Sequence, residues 1–463
     1  MQDRSSSYLK ILGPAVFWLL VWEAASLLVG NSILLAGPLD TALRFIELVP
    51  TAAFWQTILS SFGRIALGFA VGFAAALVLG LLSHHFEGFR RLLAPAFDAL
   101  KSIPLVCIIV LLLLWVGSRR VSALAVFLVV LPAIYFSVLE GLDAQDGKLK
   151  EVLGRMDVSG LRLFLVDTWQ QLLPYLIGTS RNVCGMAWKA GVAAEVIGSP
   201  RGTIGEQVYQ AKLLLATSDL FAWTIAIVLV SWACERLFLL LLRSTGLWAL
   251  HLALRLKRAG MKTSQPGSVK LEGATFGYRG TSGAPDSVIA RDVSCTLDAG
   301  SRWIMADPSG TGKTTVIAGI AGMKPLLAGA VAAPRSLSLM CQDTRLVEAY
   351  IAEENVELVS RLDEAEARQL LRELLPEDAL GRPVAELSGG QRRRVELART
   401  LAHPSAVVLL DEPFASLDHA THQQAAAFLM SHLEGRTLIA ASHVPGDAGL
   451  LDAKPLDIFR PER

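Results

Sequence analysis

The feature that most constrains this chain is a succession of apolar runs, each near the length of about 20 helical residues that crosses a hydrocarbon core. They fall at approximately 11–29, 58–82, 100–116, 121–142, 173–197 and 220–242, and no comparable run follows Leu254. In hydrocarbon a backbone must satisfy its own polar groups, so these six runs are expected to be membrane-spanning helices. The third holds Lys101 and Pro104 and the fifth holds Arg181 and Lys189, which turns those two toward protein or water rather than lipid. Arg4 and Lys10 precede the first run in the manner of a signal peptide, but no small-x-small cleavage site follows, and the run is expected to be retained.

A chain of 463 residues favours at least two domains. Its 52% hydrophobic and 18% charged residues are too apolar for a soluble chain and too charged for one wholly in the membrane, so the average hides a split. The stretch RLKRAGMKTSQPGS at 255–268 turns basic, then small and polar, as a strap between solvents does. The expected domains are therefore 1–254 in the membrane and 269–463 outside it, joined by 255–268. A net charge of +1 gives no electrostatic case for a nucleic-acid partner. Cys107, Cys184, Cys234, Cys295 and Cys341 form no CxxC pair and imply neither disulfides nor a zinc site.

Beyond residue 269, strand-like pieces such as 301–306 and 406–410 alternate with helical ones such as 314–321 and 390–401, the pattern of an α/β domain around a largely parallel sheet. Within it, Asp307-Pro308-Ser309-Gly310-Thr311-Gly312-Lys313-Thr314-Thr315 links a strand to a helix start. Backbone N–H groups there can wrap a polyphosphate of ATP, with Lys313 on the outer phosphates and the Thr314 hydroxyl on Mg2+. This is a P-loop in which Asp307 replaces the first glycine, a charge placed to weaken nucleotide binding. The run 407–410 is an apolar strand that delivers Asp411 to a magnesium shell and Glu412 to an attacking water. Ser388-Gly389-Gly390-Gln391 at another helix start makes a second anion cradle, too far along the chain to serve the same phosphate in one subunit, so a second copy is expected.

With the P-loop, the LSGGQ stretch and the Asp-Glu strand in this order, the C-terminal half resembles the ATP-binding cassette of the ABC transporter superfamily. The resemblance implies that Gln342 touches magnesium and senses the membrane domain, that Asp418 belongs to the loop at the dimer interface, that His443 contacts the γ-phosphate and that Tyr278 stacks on adenine. Each also has a plain structural reading: a loop glutamine, a helix-capping aspartate, a core histidine, a strand tyrosine. The interval from Lys313 to Gln342 is short for the family, so its small antiparallel subdomain is expected to be trimmed, and no C-terminal regulatory domain is expected.

ATP places the C-terminal half in the cytosol, and an even number of spans puts the N-terminus there too. Arg90, Arg91, Lys148, Lys150, Arg155, Arg162, Arg243, Arg255, Lys257 and Arg258 then lie inside and Arg44, Arg201 and Lys212 outside; Arg119 and Arg120 run against the bias.

The loop after the fourth span, Lys150-Glu151-Val152-Leu153-Gly154-Arg155-Met156-Asp157, is similar to the coupling loop of binding-protein-dependent importers, with Asp157 where that motif has glycine. With further matches across about 50–245, the membrane half looks like a permease of the nitrate, sulfonate, taurine and bicarbonate importer family. The resemblance implies a multi-domain protein, an all-α six-helix permease of type I importer kind followed by an α/β P-loop ATPase. It implies a plasma-membrane location, a homodimer and an extracytoplasmic solute-binding protein. The solute is expected to be a small anion or a thiamine-precursor-like molecule. A half-size exporter and a membrane-anchored nucleotide-binding regulator stay open as alternatives. Glu195, at the outer end of the fifth span, reads either as part of a translocation path or as a turn cap.

Overall fold

The computed structural model describes residues 2–256, 265–280 and 286–459. Most of the strap expected at 255–268, with Lys257 and Arg258, lies outside those residues. The helices of the first half are α1 (Gln2–Val29), α2 (Pro38–Leu48), α3 (Ala52–His85), α4 (Glu87–Ser102), α5 (Leu105–Val116), α6 (Ser118–Asp143), α7 (Lys148–Arg155), α8 (Leu161–Leu163), α9 (Trp169–Gly198), α10 (Ile204–Leu213) and α11 (Thr217–Arg255). The chain divides into two compact units: residues 1–145 with 171–245, and residues 146–170 with 246–463.

In the first unit, α3, α6 and α11 are long and apolar enough to cross a membrane, and α4 with α5 makes a fourth if counted as one broken span. The run expected as a single span at 100–116 is not one helix, because α4 and α5 meet at a bend of 104°. The cause is local. Ile103 is held extended at φ −77° and ψ 128°, as a residue before proline is, and Pro104 has no N–H with which to continue a helix. The face of α3 that meets α6 carries small residues: a Cβ on Gly68 would lie 2.2 Å from the Ala123 carbonyl oxygen, and one on Gly80 2.5 Å from Val138 Cγ1. Where lipid is as apolar as leucine, such close backbone approach is what holds helices together.

The second unit is built on two sheets. Strands β1 (Val269–Tyr278), β2 (Ser287–Leu297), β3 (Arg302–Met305), β4 (Ala328–Ala332), β5 (Leu337–Met340), β6 (Val407–Asp411), β7 (Thr437–Ala441) and β8 (Lys454–Pro455) alternate with α12 (Lys313–Ile320), α13 (Ala352–Val359), α14 (Glu364–Arg372), α15 (Gly389–Ala402), α16 (His419–His432) and α17 (Asp447–Leu450). The antiparallel subdomain is present, with order β2-β1-β4, and only β4 comes from the short interval after Lys313. The other sheet is parallel, with order β5-β6-β7-β3-β8. β6 and β7 are buried at every residue, which a strand covered on both faces requires and which the apolar run before Asp411 supplies.

The core of this unit also takes in segments from outside 269–463. Val152 and Leu153 of α7, Met156 just after it, and Leu250 and Ala253 at the end of α11 are buried in one apolar cluster with Val407, Leu409 and Ile439. α7 ends in a Schellman turn: Val158 N–H donates 3.0 Å to the Leu153 carbonyl across Asp157, which adopts φ +59°. A left-handed residue there explains why glycine suits the position, and aspartate is among the few other residues that tolerate it.

Candidate nucleotide and coupling site

The strand-to-helix turn after β3 is shaped by two glycines. Gly310 and Gly312 have φ of +87° and +100°, and a Cβ on Gly312 would sit 2.2 Å from Ile289 Cγ2. Asp307 keeps a negative φ, so the backbone there does not require glycine. Among the described residues no chain acceptor takes the N–H groups of Ser309, Gly310, Thr311 or Gly312, which leaves them for an anion at the start of α12. Lys313 is buried, donates to the carbonyls of Asp307 and Pro308, and lies 3.8 Å from Glu412 Oε1.

Beside the lysine, the Thr314 hydroxyl donates to Gln342 Oε1 at 3.3 Å. Asp411 ends β6 buried, with Oδ1 unpartnered. Burial pushes its carboxyl above the ordinary range, against the opposing pull of the Thr314 hydroxyl. A hydroxyl, an amide oxygen and a desolvated carboxylate are the hard oxygen donors that Mg2+ takes, so the residues fit that ion. Glu412 follows at φ +51°, and its Oε2 lies 2.8 Å from His443 Nδ1. Thr315 on α12 lies 3.1 Å from the Tyr278 hydroxyl, which also accepts from Lys324 Nζ at 2.8 Å. That bond holds the phenol below its ordinary pKa.

Not every residue expected at the site joins this cluster. Ser388 caps α15 in a reciprocal box with Gln391: each side-chain oxygen accepts from the other residue's backbone N–H, at 3.3 and 2.9 Å. Among the described residues no hydrogen bond links Ser388, Gly389, Gly390 or Gln391 to 307–315. Asp418 is the N-cap of α16, accepting from the Ala420 and Thr421 N–H groups at 3.1 and 3.0 Å, and those bonds hold its pKa down. In the membrane unit, Glu195 is fully buried; Ser61 Oγ donates to its Oε2 at 2.7 Å and Gly205 N–H reaches it at 3.4 Å. That geometry ties α3 to the first turn of α10 and matches the turn-cap reading.

Sequence reasoning missed Arg393. It lies in the stretch 390–401 expected to be helical, and there it is buried with its guanidinium donating to four backbone carbonyls: Cys341 at 2.6 Å, Gln342 at 3.1 Å, and Asp411 and Glu412 at 2.6 Å each. On the same face, Glu396 Oε1 accepts from Arg345 N–H at 3.0 Å and Arg399 donates to the Arg345 carbonyl at 2.6 Å. Arg345 in turn donates to the Lys148 carbonyl of α7 at 3.2 Å and lies 4.0 Å from Glu151. Arg155 bonds the Gly322 carbonyl, and buried Arg162 joins the carbonyls of Ala253 and Leu358 at 3.2 and 2.6 Å. Gly154 and Asp157 are exposed. The signal available was the three-residue spacing of Arg393, Glu396 and Arg399, which puts them on one side of a helix.

Comparison with known proteins agrees with both halves. The ABC transporter family profile matches residues 290–415, which hold the P-loop, Gln342, Ser388–Gln391, Asp411 and Glu412. The profile of the binding-protein-dependent transport system inner membrane component matches 68–244. The chain is 34% identical to a cytochrome c biogenesis ATP-binding export protein of Paracoccus denitrificans over 36% of this chain and 80% of that one. It is 31% identical to a thiamine import ATP-binding protein of Photorhabdus laumondii over 41% of this chain and 85% of that one. Its membrane half is 27% identical to a Bacillus subtilis protein described as an aliphatic sulfonates transport permease, over 51% of this chain and 86% of that one. The chain belongs to the ABC transporter family, as an importer-type permease fused to an ATPase whose ATP hydrolysis is coupled to transport.

Proposed function

We propose that two copies of this chain import a small solute delivered by an extracytoplasmic binding protein, and that each ATP is sandwiched between Asp307–Thr315 of one copy and Ser388–Gln391 of the other. The observation that carries the reading is the convergence of Lys313, Thr314, Gln342, Asp411 and Glu412 on the P-loop, with Ser388–Gln391 turned to a separate helix start. In this reading Tyr278 stacks on adenine, Asp418 lines the face between cassettes, and Glu412 acts as general base with Gln342 and His443 orienting the water and the γ-phosphate. Thr314, Gln342 and Asp411 would hold Mg2+, which neutralises developing phosphate charge. The domains are 1–254 and 269–463 with 255–268 between them, the membrane half crosses the plasma membrane several times, and the cassette faces the cytosol. Closure of the cassettes reaches the spans through Glu151, Gly154 and Asp157. The matched permease profile and the sulfonate and thiamine relatives support import of a sulfonate-like anion or a thiamine-precursor-like molecule.

The test is a mixture of two single variants, Ser309→Cys and Ser388→Cys, co-expressed as full chains and oxidised in lipid. An ATP-dependent disulfide between the two chains is expected. A double variant that closes the same disulfide only within one chain overturns the sandwich.

A further inference from the structure

His443, which meets Glu412, follows β7 in a turn that has its own polar support. Ser442 is buried, and its N–H donates to the Met305 carbonyl of β3 at 3.1 Å. Its hydroxyl accepts from the Val444 N–H at 3.1 Å, closing a turn around His443. A hydroxyl has one proton to give, and this one goes to Asp447 Oδ2 at 2.5 Å. Asp447 is buried as well, and its other oxygen, Oδ1, lies 2.9 Å from His422 Nε2. As a carboxylate Asp447 only accepts, so Nε2 carries the hydrogen. The histidine comes from a different element. It stands one turn into α16, where its N–H donates to the Asp418 carbonyl at 2.8 Å. Its ring stacks on Phe414, with centroids 4.6 Å apart and planes 27° from parallel. Phe414 is buried two residues beyond Glu412, in a turn closed by the Ala415 N–H on the Glu412 carbonyl at 3.1 Å. The His422 side chain therefore touches the segment that carries Glu412 and, through Asp447 and Ser442, the turn that carries His443.

We propose that His422 is a positioning residue for ATP hydrolysis. Packed on Phe414 and bonded to Asp447, it fixes the Ser442 hydroxyl and with it the placement of His443 against Glu412. The chain of contacts has a direct physical consequence. Without the Nε2–H, a buried oxygen of Asp447 is left unpaired, and the carboxylate turns to recover a partner, taking the Ser442 hydroxyl with it. The turn around His443 then loses its closing bond. Misplacing a group at a reacting centre by about 1 Å is enough to slow the reaction about a hundredfold, so the effect falls on the chemical step rather than on nucleotide binding. The P-loop and its backbone N–H groups do not touch this relay, which leaves the phosphate cradle as it is. The inference rests on the roles given to Glu412 and His443 above and adds the side chains that hold the two in register.

Full-length protein in lipid nanodiscs is assayed for phosphate release over a range of ATP concentrations, with thermal unfolding and binding of a fluorescent ATP analogue measured on the same samples. His422→Phe keeps a ring on Phe414 and removes the donor. It should lower kcat about ten- to a hundredfold while KM and analogue affinity stay within about twofold of the parent. His422→Gln sets an amide N–H about where Nε2–H stands and should recover part of kcat. Ser442→Ala should reproduce the loss, and adding His422→Phe to it should cost little more, because both act through one set of hydrogen bonds. Parental kcat in His422→Phe overturns the inference. So does a loss shared equally by kcat and analogue affinity, or one that follows a fall in melting temperature and is not relieved by His422→Gln, since a merely structural residue behaves that way. His443→Ala separates this inference from the reading beneath it. Hydrolysis lost in His443→Ala but kept in His422→Phe sinks the relay alone, whereas parental hydrolysis in His443→Ala removes the role given to His443 as well.

Discussion

Glu412 Oε2 lies 2.8 Å from His443 Nδ1 while its Oε1 lies 3.8 Å from Lys313 Nζ, so one carboxylate faces both the histidine and the phosphate-binding lysine. A glutamine there keeps the shape and removes the base. Glu412→Gln should therefore lower ATP hydrolysis by the reconstituted protein about 10²- to 10⁴-fold. ATP binding, measured by a fluorescent analogue, should persist. An equal loss of binding would show that Glu412 holds the site together rather than activating water.

Arg393 satisfies four backbone carbonyls from the two segments that carry Gln342 and Asp411. Arg393→Met strips the donors and leaves Glu396 with a weakened counter-charge in a buried setting. Breaking one side of such a network costs about 3–5 kcal/mol. Thermal unfolding of the cassette should drop by about 10 °C, with hydrolysis falling in parallel, and Arg393→Lys should recover part of both. An unchanged melting point in Arg393→Met would mean that water replaces the guanidinium.

The phosphate machinery was legible because anion binding by backbone demands residues without side chains. Gly310 and Gly312 sit at φ values that other residues avoid, so the motif survives as letters. Only its three-residue spacing with Glu396 and Arg399 marked Arg393, because Arg392 and Arg394 flank it with the same chemistry and the packing of α15 on the sheet decides which one is buried. The break between α4 and α5 was written in Ile103-Pro104, but the apolar run through it hid the turn. The contact between Tyr350 and Leu250 joins residues 100 apart, and no local pattern announces it. Asp157 is the opposite case, since its departure from glycine looks like a defect in the sequence and is a tolerated left-handed residue in the turn.

Asp307 brings a carboxylate beside the phosphate turn while its backbone sits where any residue can. Removing the charge should strengthen nucleotide binding by about 1–2 kcal/mol, or roughly five- to thirtyfold, given a unit charge several ångströms away in a partly solvated setting. Asp307→Asn isolates the charge from the flexibility that Asp307→Gly adds. The gain should shrink as salt is raised. Titration of a fluorescent ATP analogue into both variants checks it, and unchanged affinity in both would show that Asp307 turns its charge away from the phosphates.

Tyr350 is buried and donates its hydroxyl to the Leu250 carbonyl at 2.7 Å, fastening the end of α11 into the cassette core. Burial pushes the phenol above its ordinary value of 10.0, so the folded protein keeps the neutral donor. The unfolded phenol ionises first as pH rises. This group's contribution is therefore intact below about pH 10 and is lost as pH climbs from there toward the folded value, by up to about 1.4 kcal/mol per pH unit. Tyr350→Phe should cost about 1 kcal/mol near neutral pH, through the lost bond and the unpartnered carbonyl, and should flatten the alkaline slope of stability. Thermal unfolding of both proteins between pH 8 and pH 11 reads both effects. If the two slopes coincide, the phenol is reached by solvent, and α11 is fastened by the apolar contacts of Leu250 and Ala253 alone.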